Sequence, residues 1–244
     1  MYNEAFAKAS IGSKRFVDLA STQVEFLSSV LDLPTGAKIL DVPCGVGRHS
    51  ILFAKKGYRV TGIDISRDCV KIAKRQFAHK NVKYKLGDMS NLSAFKGQYD
   101  CILNLFTSFG YFHSDKENEN VLRKMYRSLK PGGKAVVNLI DRDWIMKIYQ
   151  PVRWFEDHGV LTMEASRYDE KTKYNESQMV MIDQRKAKPV LLHHHYHRVR
   201  LYSKVEMVSL MKRAGFRNVQ IFGDFEGLKY KKGVSTHPIY IGQR

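Results

Sequence analysis

The sequence predicts an α/β protein: a mostly parallel, doubly wound sheet with helices on both faces and an antiparallel β insertion after strand five. Three observations carry that expectation. Between Ala37 and Ile140, short apolar runs alternate with amphipathic stretches, the rhythm of strand–helix–strand units. The first run passes directly into a turn, Pro43-Cys44-Gly45-Val46-Gly47, that opens a helix. From about Arg142 the rhythm gives way to long β-rich segments, then returns with a helix and two strands. At 244 residues the chain is long enough for one large domain with an insertion, and buries a core without a disulfide or metal staple.

The elements follow in order. A helix over roughly Phe16 to Leu31 precedes strand one, Ala37-Lys-Ile-Leu-Asp-Val42. Arg48 to Lys56 has helix composition and stops at Gly57. Tyr58 to Asp64 is strand two, and Ser66 is an N-cap for a helix to about Ala78. Val82 to Leu86 is strand three, followed by Gly87-Asp88. Tyr99 to Phe106 is apolar throughout, as a strand buried on both faces should be. Asp115 to Leu129 is a charged helix ended by Pro131-Gly132-Gly133, and Lys134 to Ile140 is strand five.

The insertion carries β-rich Leu161 to Tyr168, Lys173 to Gln184 and Pro189 to Tyr202. Ser203-Lys-Val-Glu206 is a capping box for a helix that Gly215 stops. Arg217 to Gly223 and Pro238 to Gly242 supply the last strands. The expected division is 1–141, an N-terminal helix and cofactor-binding core; 142–202, a β-rich insertion; and 203–244, a helix and two strands completing the core sheet.

Composition excludes several classes. With 17 Gly, 6 Pro, 13 Tyr and 13 Phe, the chain is neither collagen-like nor disordered. No apolar run approaches the roughly 18–20 residues of a membrane span, so no membrane partner is expected. The N-terminal MYNEAFAKAS lacks the basic and apolar regions of a secretory signal. Cys44, Cys69 and Cys101 are widely spaced, as reduced thiols of a cytoplasmic protein would be. The 41 Lys and Arg outweigh 24 acids, giving a net +17, which fits either an anionic partner or simple solvation of the surface.

The chemistry concentrates in Ile39-Leu-Asp41-Val-Pro43-Cys44-Gly45-Val46-Gly47-Arg48-His49. A lone glycine-x-glycine is weak, but three carboxylates accompany it. Asp41 ends strand one, Asp64 ends strand two about twenty residues after the turn, and Asp88 follows strand three. Dinucleotide sites set a pyrophosphate on the helix N-terminus, and an acid just ahead of the turn would repel it. The same acid can hold an ammonium. S-adenosylmethionine carries an ammonium, a ribose and an adenine, and no phosphate, so its three donor groups match the three carboxylates.

In these motifs (LDVPCGVGRHS, GIDIS, GDM, YDCILNLFTSFGYF and LKPGGKAVVNL) the sequence resembles the class I S-adenosylmethionine-dependent methyltransferases over most of its length. The resemblance implies a Rossmann-like seven-stranded sheet whose last strand is antiparallel. It implies methyl transfer from S-adenosyl-L-methionine, leaving S-adenosyl-L-homocysteine. Asp41, Gly45 and Gly47, with Pro43 in the turn, would border the methionine moiety. Asp64 and Ile65 would meet the ribose and adenine, Asp88 and Met89 the adenine, and Asn104 and Leu105 the methionine part. Pro43 departs from the glycine usual at its position and lacks an N–H, which predicts one hydrogen bond fewer from the turn. Within the family, LFTSFGYF is similar to loops of sugar-amine N-methyltransferases, and HHHYHRVRLYSKVEMVSLMKRAGF to their lid strand and following helix. A small-molecule acceptor, methylated on N or O, is the leading expectation.

In-line displacement at a sulfonium needs alignment, exclusion of water and, for a protonated nucleophile, a base. Tyr111 and His113, just past strand four, are candidates; the competing expectation is that Phe106, Phe109, Tyr111 and Phe112 cap the sheet. In His193-His194-His195-Tyr196-His197, the odd-numbered histidines share one strand face, and His197 or His195 is the candidate base. With no Cys or acid cluster nearby, no metal is expected. Tyr2 and Phe6 are candidates for an N-terminal lid.

From Arg185 to Val205 there are six Lys or Arg and no acid, and Lys229, Lys231 and Lys232 form a second basic cluster. These suit an anionic small molecule, RNA, or an outer solvated face. An RNA methyltransferase is therefore the alternative, although Asn104-Leu-Phe-Thr107 lacks the Asn/Asp-Pro-Pro-aromatic element of many base-amino methylases. A non-catalytic cofactor-binding subunit is a third reading. The insertion suits either a substrate lid or a homodimer contact.

Overall fold

The computed structural model describes residues 14–157, 159–185 and 187–244, with side chains from Leu19 onward. Helix α1 (Lys14–Leu31) leads into β1 (Lys38–Asp41), α2 (Arg48–Lys55), β2 (Arg59–Asp64), α3 (Arg67–Gln76) and β3 (Val82–Leu86). A 3-10 turn (Ser93–Phe95) precedes β4 (Tyr99–Asn104), followed by α4 (Asp115–Ser128) and β5 (Leu129–Asn138). A short helix α5 (Arg142–Ile145) leads to β6 (Val152–Asp157), β7 (Val160–Tyr168), β8 (Tyr174–Asp183) and β9 (Val190–Arg200). Helix α6 (Lys204–Ala214), β10 (Arg217–Phe222) and β11 (Ile239–Gln243) complete the chain. None of the described helices is long and apolar enough to cross a membrane.

Seven strands form one sheet in the order β10-β11-β5-β4-β1-β2-β3. All neighbours are parallel except β11, which runs against both β5 and β10. The chain therefore winds outward from β1 to β3, then returns to place β4 on the other side of β1. Register sets Leu40 beside Thr61 on one side and Ile102 on the other. The carboxyl ends of β1 and β4 consequently flank the point where winding direction reverses, the crevice where open parallel sheets bind ligands.

Burial on both faces explains the unbroken apolar runs. Leu40, Ile102, Ala135 and Val137 pack with Val121, Leu122 and Met125 of α4 and with Met207, Leu210 and Met211 of α6. Ile39, Cys101, Leu103 and Val136 face the other way, against Leu27 and Leu31 of α1, Phe53 of α2 and Val70 of α3. Each such side chain taken fully out of water contributes about 1.5–3 kcal/mol. Cys44, Cys69 and Cys101 are all free thiols, and all are buried.

Two local signals land where expected: Ser66 accepts from Cys69 N–H, and Ser203 and Glu206 form the reciprocal capping box; Ser114 adds a further cap, accepting from Glu117 N–H. Several boundaries shift from the sequence expectation, most by one or two residues, and two of the differences have a visible cause. Strand four ends at Asn104 rather than Phe106, because Phe106 and Thr107 turn into the left-handed region at φ 59° and 52°. Strand five begins at Leu129, passing through Pro131-Gly132-Gly133 with a register shift opposite Tyr99 and Cys101. The proline and glycines end the helix without ending the strand.

The inserted segment forms its own antiparallel sheet, β6-β7-β8-β9, with one strand more than the pattern suggested. The extra strand, β6, reads Val-Arg-Trp-Phe-Glu-Asp and buries almost nothing. It is held by pairing, including Arg153 Nε to Glu164 at 2.8 Å, so hydrophobic periodicity had no burial to report there. One face of this sheet carries Thr162, Ser177 and His193, all buried. The opposite face leaves Val152 and Trp154 of β6 each 72% exposed, and at the far edge of the same face Leu191 and Tyr196 of β9 are also exposed.

Where β9 rejoins the core, Arg200 is buried and gathers charges from three elements. Its Nη2 donates to Glu206 of α6 at 2.9 Å, and its Nε lies 3.1 Å from Asp115 of α4. Arg142 pairs with the same Glu206 at 2.5 Å, and Tyr202 Oη donates to Asp115 at 2.9 Å. The guanidinium neighbours hold Glu206 down to about 2 against the opposing effect of burial. Replacing Arg200 with Met strands Asp115 and Glu206 without their shared partner. Because Asp115 is half exposed and Glu206 keeps Arg142, the expected loss is about 1–3 kcal/mol of unfolding free energy, measured by urea titration.

Candidate active site

Asp41 is the last residue of β1 and is buried. Its Oδ2 accepts from Ser50 Oγ on α2 at 2.6 Å. Burial is the main cause that pushes its carboxyl up to about 7; the Ser50 hydrogen bond opposes the rise, the Asp64 charge adds to it and Arg48 offsets part of it. A carboxylate in that condition favours a cation as neighbour. A second acceptor lies at the next strand end. Asn104 Oδ1 is buried without a hydrogen-bond partner among the described residues, while its Nδ2 donates to Val42 C=O at 2.8 Å. One anion and one unsatisfied carbonyl at neighbouring strand ends fit an ammonium donor.

The turn between β1 and α2 is built inward. Cys44 N–H donates to Ile63 C=O at 2.8 Å and Gly45 N–H to Asp64 Oδ2 at 2.8 Å, beyond a cis Val42–Pro43 bond. Two N–H groups of the turn thus brace β2 and its terminal carboxylate. Gly47 caps α2 at φ 88°, where a Cβ would lie 2.6 Å from Tyr84 Oη, so only glycine fits. A Cβ on Gly45 would meet nothing within 4 Å, so the outer side of the turn faces open space.

Asp64 is buried, its Oδ1 taking Ser66 N–H at 2.8 Å as Oδ2 takes Gly45. Those bonds orient the carboxylate and leave a lone pair on each oxygen for ribose hydroxyls. Beyond it Ile65 is 52% exposed and Leu86 49% exposed, two apolar side chains at strand ends where an adenine needs walls. Asp88 Oδ1 accepts from Ser90 N–H at 2.6 Å, and the loop returns Met89 to Asn104, Sδ to Nδ2 at 3.6 Å. These residues fit the nucleoside and amino-acid parts of S-adenosylmethionine. Leu105 points into the core, so it offers a ligand only its backbone.

The aromatic loop after β4 divides. Phe109 and Phe112 pack on the core, Phe109 at 5.6 Å from the Tyr202 ring. Phe106 and Tyr111 stay over one-third exposed. Packing therefore accounts for half of the loop's aromatics. Gly110 C=O accepts from Arg200 N–H at 2.8 Å, which ties the loop to β9 and brings Tyr111 to His197, ring centroids 6.2 Å apart. His197 Nδ1 is buried without a hydrogen-bond partner among the described residues. Burial lowers its pKa, while Glu164 on the same sheet opposes that shift.

His193, His195 and His197 share a face, their rings stacked at 5.4 and 5.5 Å. Among the described residues no group of three or more His, Cys, Asp or Glu is placed to hold a metal ion. His113 is exposed at the start of α4, its backbone N–H donating to Glu117 at 2.9 Å, and makes no ring contact with Tyr111 or His197. Tyr2 and Phe6 lie outside the described residues.

Two residues with no ligand-binding or catalytic role expected from the sequence also shape the site. Phe106 lies under the Arg48 guanidinium at 5.1 Å and 5.7 Å from His49. His49 is buried, bonded to Gln23 at 2.8 Å and held down to about 3 chiefly by burial, so it stays neutral and ties α1 to α2. An aromatic two residues after a strand-ending Asn was the available signal for Phe106; none pointed to His49.

If Asp41 meets the cofactor ammonium as a carboxylate, affinity for S-adenosylmethionine falls as pH drops through about 7 and Asp41 takes up its proton. Without a cation the sign reverses for folding: the raised pKa favours the native state below about 4 and loses that contribution as pH rises through 7. Calorimetric titration at pH 6 and 8 should show the affinity difference. Asp41→Asn should weaken binding about tenfold or more and flatten the pH dependence.

A family model described as a methyltransferase domain matches residues 39–133. The putative methyltransferase YqeM of Bacillus subtilis (strain 168) is 32% identical over 102 residues, 41% of each chain. A ubiquinone biosynthesis O-methyltransferase of Xanthomonas oryzae pv. oryzae (strain PXO99A) is 31% identical over 127 residues, 51% of each chain. The chain thus spans about half the length, or less, of these two curated relatives. Among solved structures, an S-adenosylmethionine-dependent methyltransferase from Clostridium acetobutylicum ATCC 824 shares the fold at a TM-score of 0.80 and 16% identity, over 92% of this chain and 91% of that one. The S-adenosylmethionine-bound CalS10 of Micromonospora echinaspora, an amino pentose methyltransferase, does so at 0.68 and 18% identity, over 100% and 98%. With its strand order, its antiparallel last strand and a methyltransferase-domain match across the cofactor turn, the chain is similar to the class I S-adenosylmethionine-dependent methyltransferases in fold and over residues 39–133 in sequence.

Proposed function

We propose that this chain is an enzyme that moves the methyl group of S-adenosyl-L-methionine to a nitrogen or oxygen of a small-molecule acceptor. The observation that supports the acceptor side is the pairing of Tyr111 with His197, whose buried Nδ1 has no hydrogen-bond partner among the described residues. Bound S-adenosylmethionine supplies a methyl group on a positively charged sulfur. In this reading Asp41 and Asn104 hold the ammonium end, Asp64 aligns the ribose, and Ile65 and Leu86 flank the adenine. The cofactor loop and the 104–113 loop then meet the acceptor from one side, and β9 from the other.

Tyr111 forms an aromatic wall that orients the acceptor and excludes water. His197 is the base. Burial keeps its imidazole neutral at physiological pH, so Nδ1 can take the proton from the acceptor N–H or O–H. The Glu164 carboxylate stabilises the imidazolium that results. His113, exposed and apart from this pair, fits better as a residue at the rim.

Charge pairing in the insertion favours a small molecule over RNA. Of the six cations between Arg185 and Val205, Arg185 pairs with Asp183 at 2.8 Å, Arg198 with Glu176 at 3.5 Å, and Arg200 with Asp115 and Glu206. Acids from other positions thus neutralise much of what is a purely basic run along the chain. An anionic small molecule stays compatible with the cations left over. The three buried free thiols suit a reducing, cytoplasmic setting. For oligomeric state we propose a homodimer through the outward apolar face of the inserted sheet, where Val152, Trp154, Leu191 and Tyr196 lie exposed.

Transfer of isotopically labelled methyl from S-adenosylmethionine into an extract of the source cells tests the acceptor class. Label in a low-mass, nuclease-resistant fraction is expected; label in nuclease-sensitive polymer overturns the small-molecule reading. With the acceptor identified, His197→Ala should lower kcat about 100-fold or more and abolish the acid limb of the pH–rate profile, while S-adenosylmethionine affinity is unchanged. Sedimentation should show a dimer that Trp154→Glu converts to monomer; an unchanged mass for both proteins counts against that interface.

A further inference from the structure

A cavity of about 370 Å³ opens at the end of the sheet opposite the cofactor crevice. It is lined by Lys38, Arg59, Lys80, Lys83 and Lys85, over a floor that includes Phe95 and Tyr99. Lys38, Arg59 and Tyr99 are the first residues of β1, β2 and β4, whereas Asp41, Asp64 and Asn104 are the last residues of the same strands. Strands of this length put roughly 10–17 Å between their two ends, and along β3 the lining runs up to Lys85, the residue before Leu86.

The cavity exists because of how β3 connects to β4. Helices α2 and α3 cover one face of β2 and β3, where Val60, Val82 and Tyr84 are buried. On the other face the connection carries only the 3-10 turn, and Lys83 and Lys85 stand exposed from alternate positions of β3. Register aligns Lys83 with Thr61 and Lys38 with Arg59, so cations of three strands converge on one face. No acid lines the cavity. Among the described residues none of the five cations has a carboxylate within ion-pair distance. Asp100, adjacent, is taken by Lys130 at 2.7 Å and by the backbone N–H of Lys38 at 2.8 Å.

Lysines on an edge strand also discourage strand addition, which would account for Lys83 and Lys85. It does not account for Arg59 and Lys38 on interior strands, nor for the aromatic floor. Four cations with no acid beside them, and Lys38 sharing the already paired Asp100, call for phosphate charge, and the volume is of nucleotide size. Lys85 Nζ already lies 5.6 Å from the Phe95 ring, whose edge meets Tyr99 at 5.8 Å, the mixture of cations and aromatic surface that holds a base beside its phosphate.

We propose that this groove binds a nucleoside phosphate, either free or as a unit of single-stranded nucleic acid, at a site separate from methyl transfer. The proposal stands whatever the acceptor is. Binding is tested on the full chain with fluorescein-labelled U12 RNA by anisotropy and with ATP by calorimetry, each at two salt concentrations. Lys83→Gln with Lys85→Gln should weaken the bound probe tenfold or more and, for RNA, reduce the slope of log affinity against log salt by about 1.4. Lys229→Gln with Lys231→Gln removes the same charge elsewhere and should change affinity less than twofold. Unchanged S-adenosylmethionine affinity and thermal midpoint verify the fold of each variant. Tight RNA with weak ATP assigns the groove to a strand, and the reverse to a free nucleotide. If neither probe binds at 100 mM salt, or the control pair weakens binding as much as the groove pair, the proposal is overturned.

Discussion

The placement of one carboxylate constrains much of the rest. Asp41 is buried at the end of a strand whose Ile39 and Leu40 are inaccessible on opposite faces, so β1 can neither shift register nor turn its last side chain to solvent. Burial makes the charged form of Asp41 unfavourable, and the surroundings answer with Ser50, Arg48 and an inward-facing turn. The turn in turn donates Gly45 N–H to Asp64, which couples the ends of β1 and β2. A cationic ligand at the crevice completes this arrangement electrostatically, because it supplies the counter-charge that the protein provides only in part.

The insertion is attached to this centre by a second set of charges. Arg200, Arg142, Asp115 and Glu206 join β9 to α4, α5 and α6, and the Gly110–Arg200 backbone contact ties in the aromatic loop. Movement of the inserted sheet against the core would therefore have to disrupt paired, partly buried charges. That coupling keeps Tyr111 and His197 in register although they lie far apart in sequence.

Much of the fold is legible in the sequence because its signals are local. Capping residues Ser66 and Ser203, the stop at Gly215 and the two-sided apolar runs each act over a few residues, and each lands within a few positions of its element. The exceptions have non-local causes. Strand β6 is held by cross-strand pairing with little burial, and β5 continues through a turn that would end a strand elsewhere. In the site, Asp41, Asp64 and Asn104 stand at strand ends and Gly45 and Gly47 in the turn between by virtue of their motifs, whereas Phe106 and His49 matter only through neighbours that folding supplies.

By itself the sequence determined the parallel core, the cofactor turn with its three acids, and the presence of a β insertion. Periodicity and spacing encode those directly, and each is a property of contiguous residues. Only the tertiary structure decided which aromatics of LFTSFGYF pack and which face solvent, and which histidine meets Tyr111. It also decided where the +17 charge is spent. Three arginines of the basic run in the insertion pair with acids elsewhere in the fold, while Lys38, Arg59, Lys83 and Lys85 of β1, β2 and β3 converge in a groove with no acid in its lining. Charge along a chain is a sum over sequence, but the field a ligand meets depends on distances, and those are set only when the strands align.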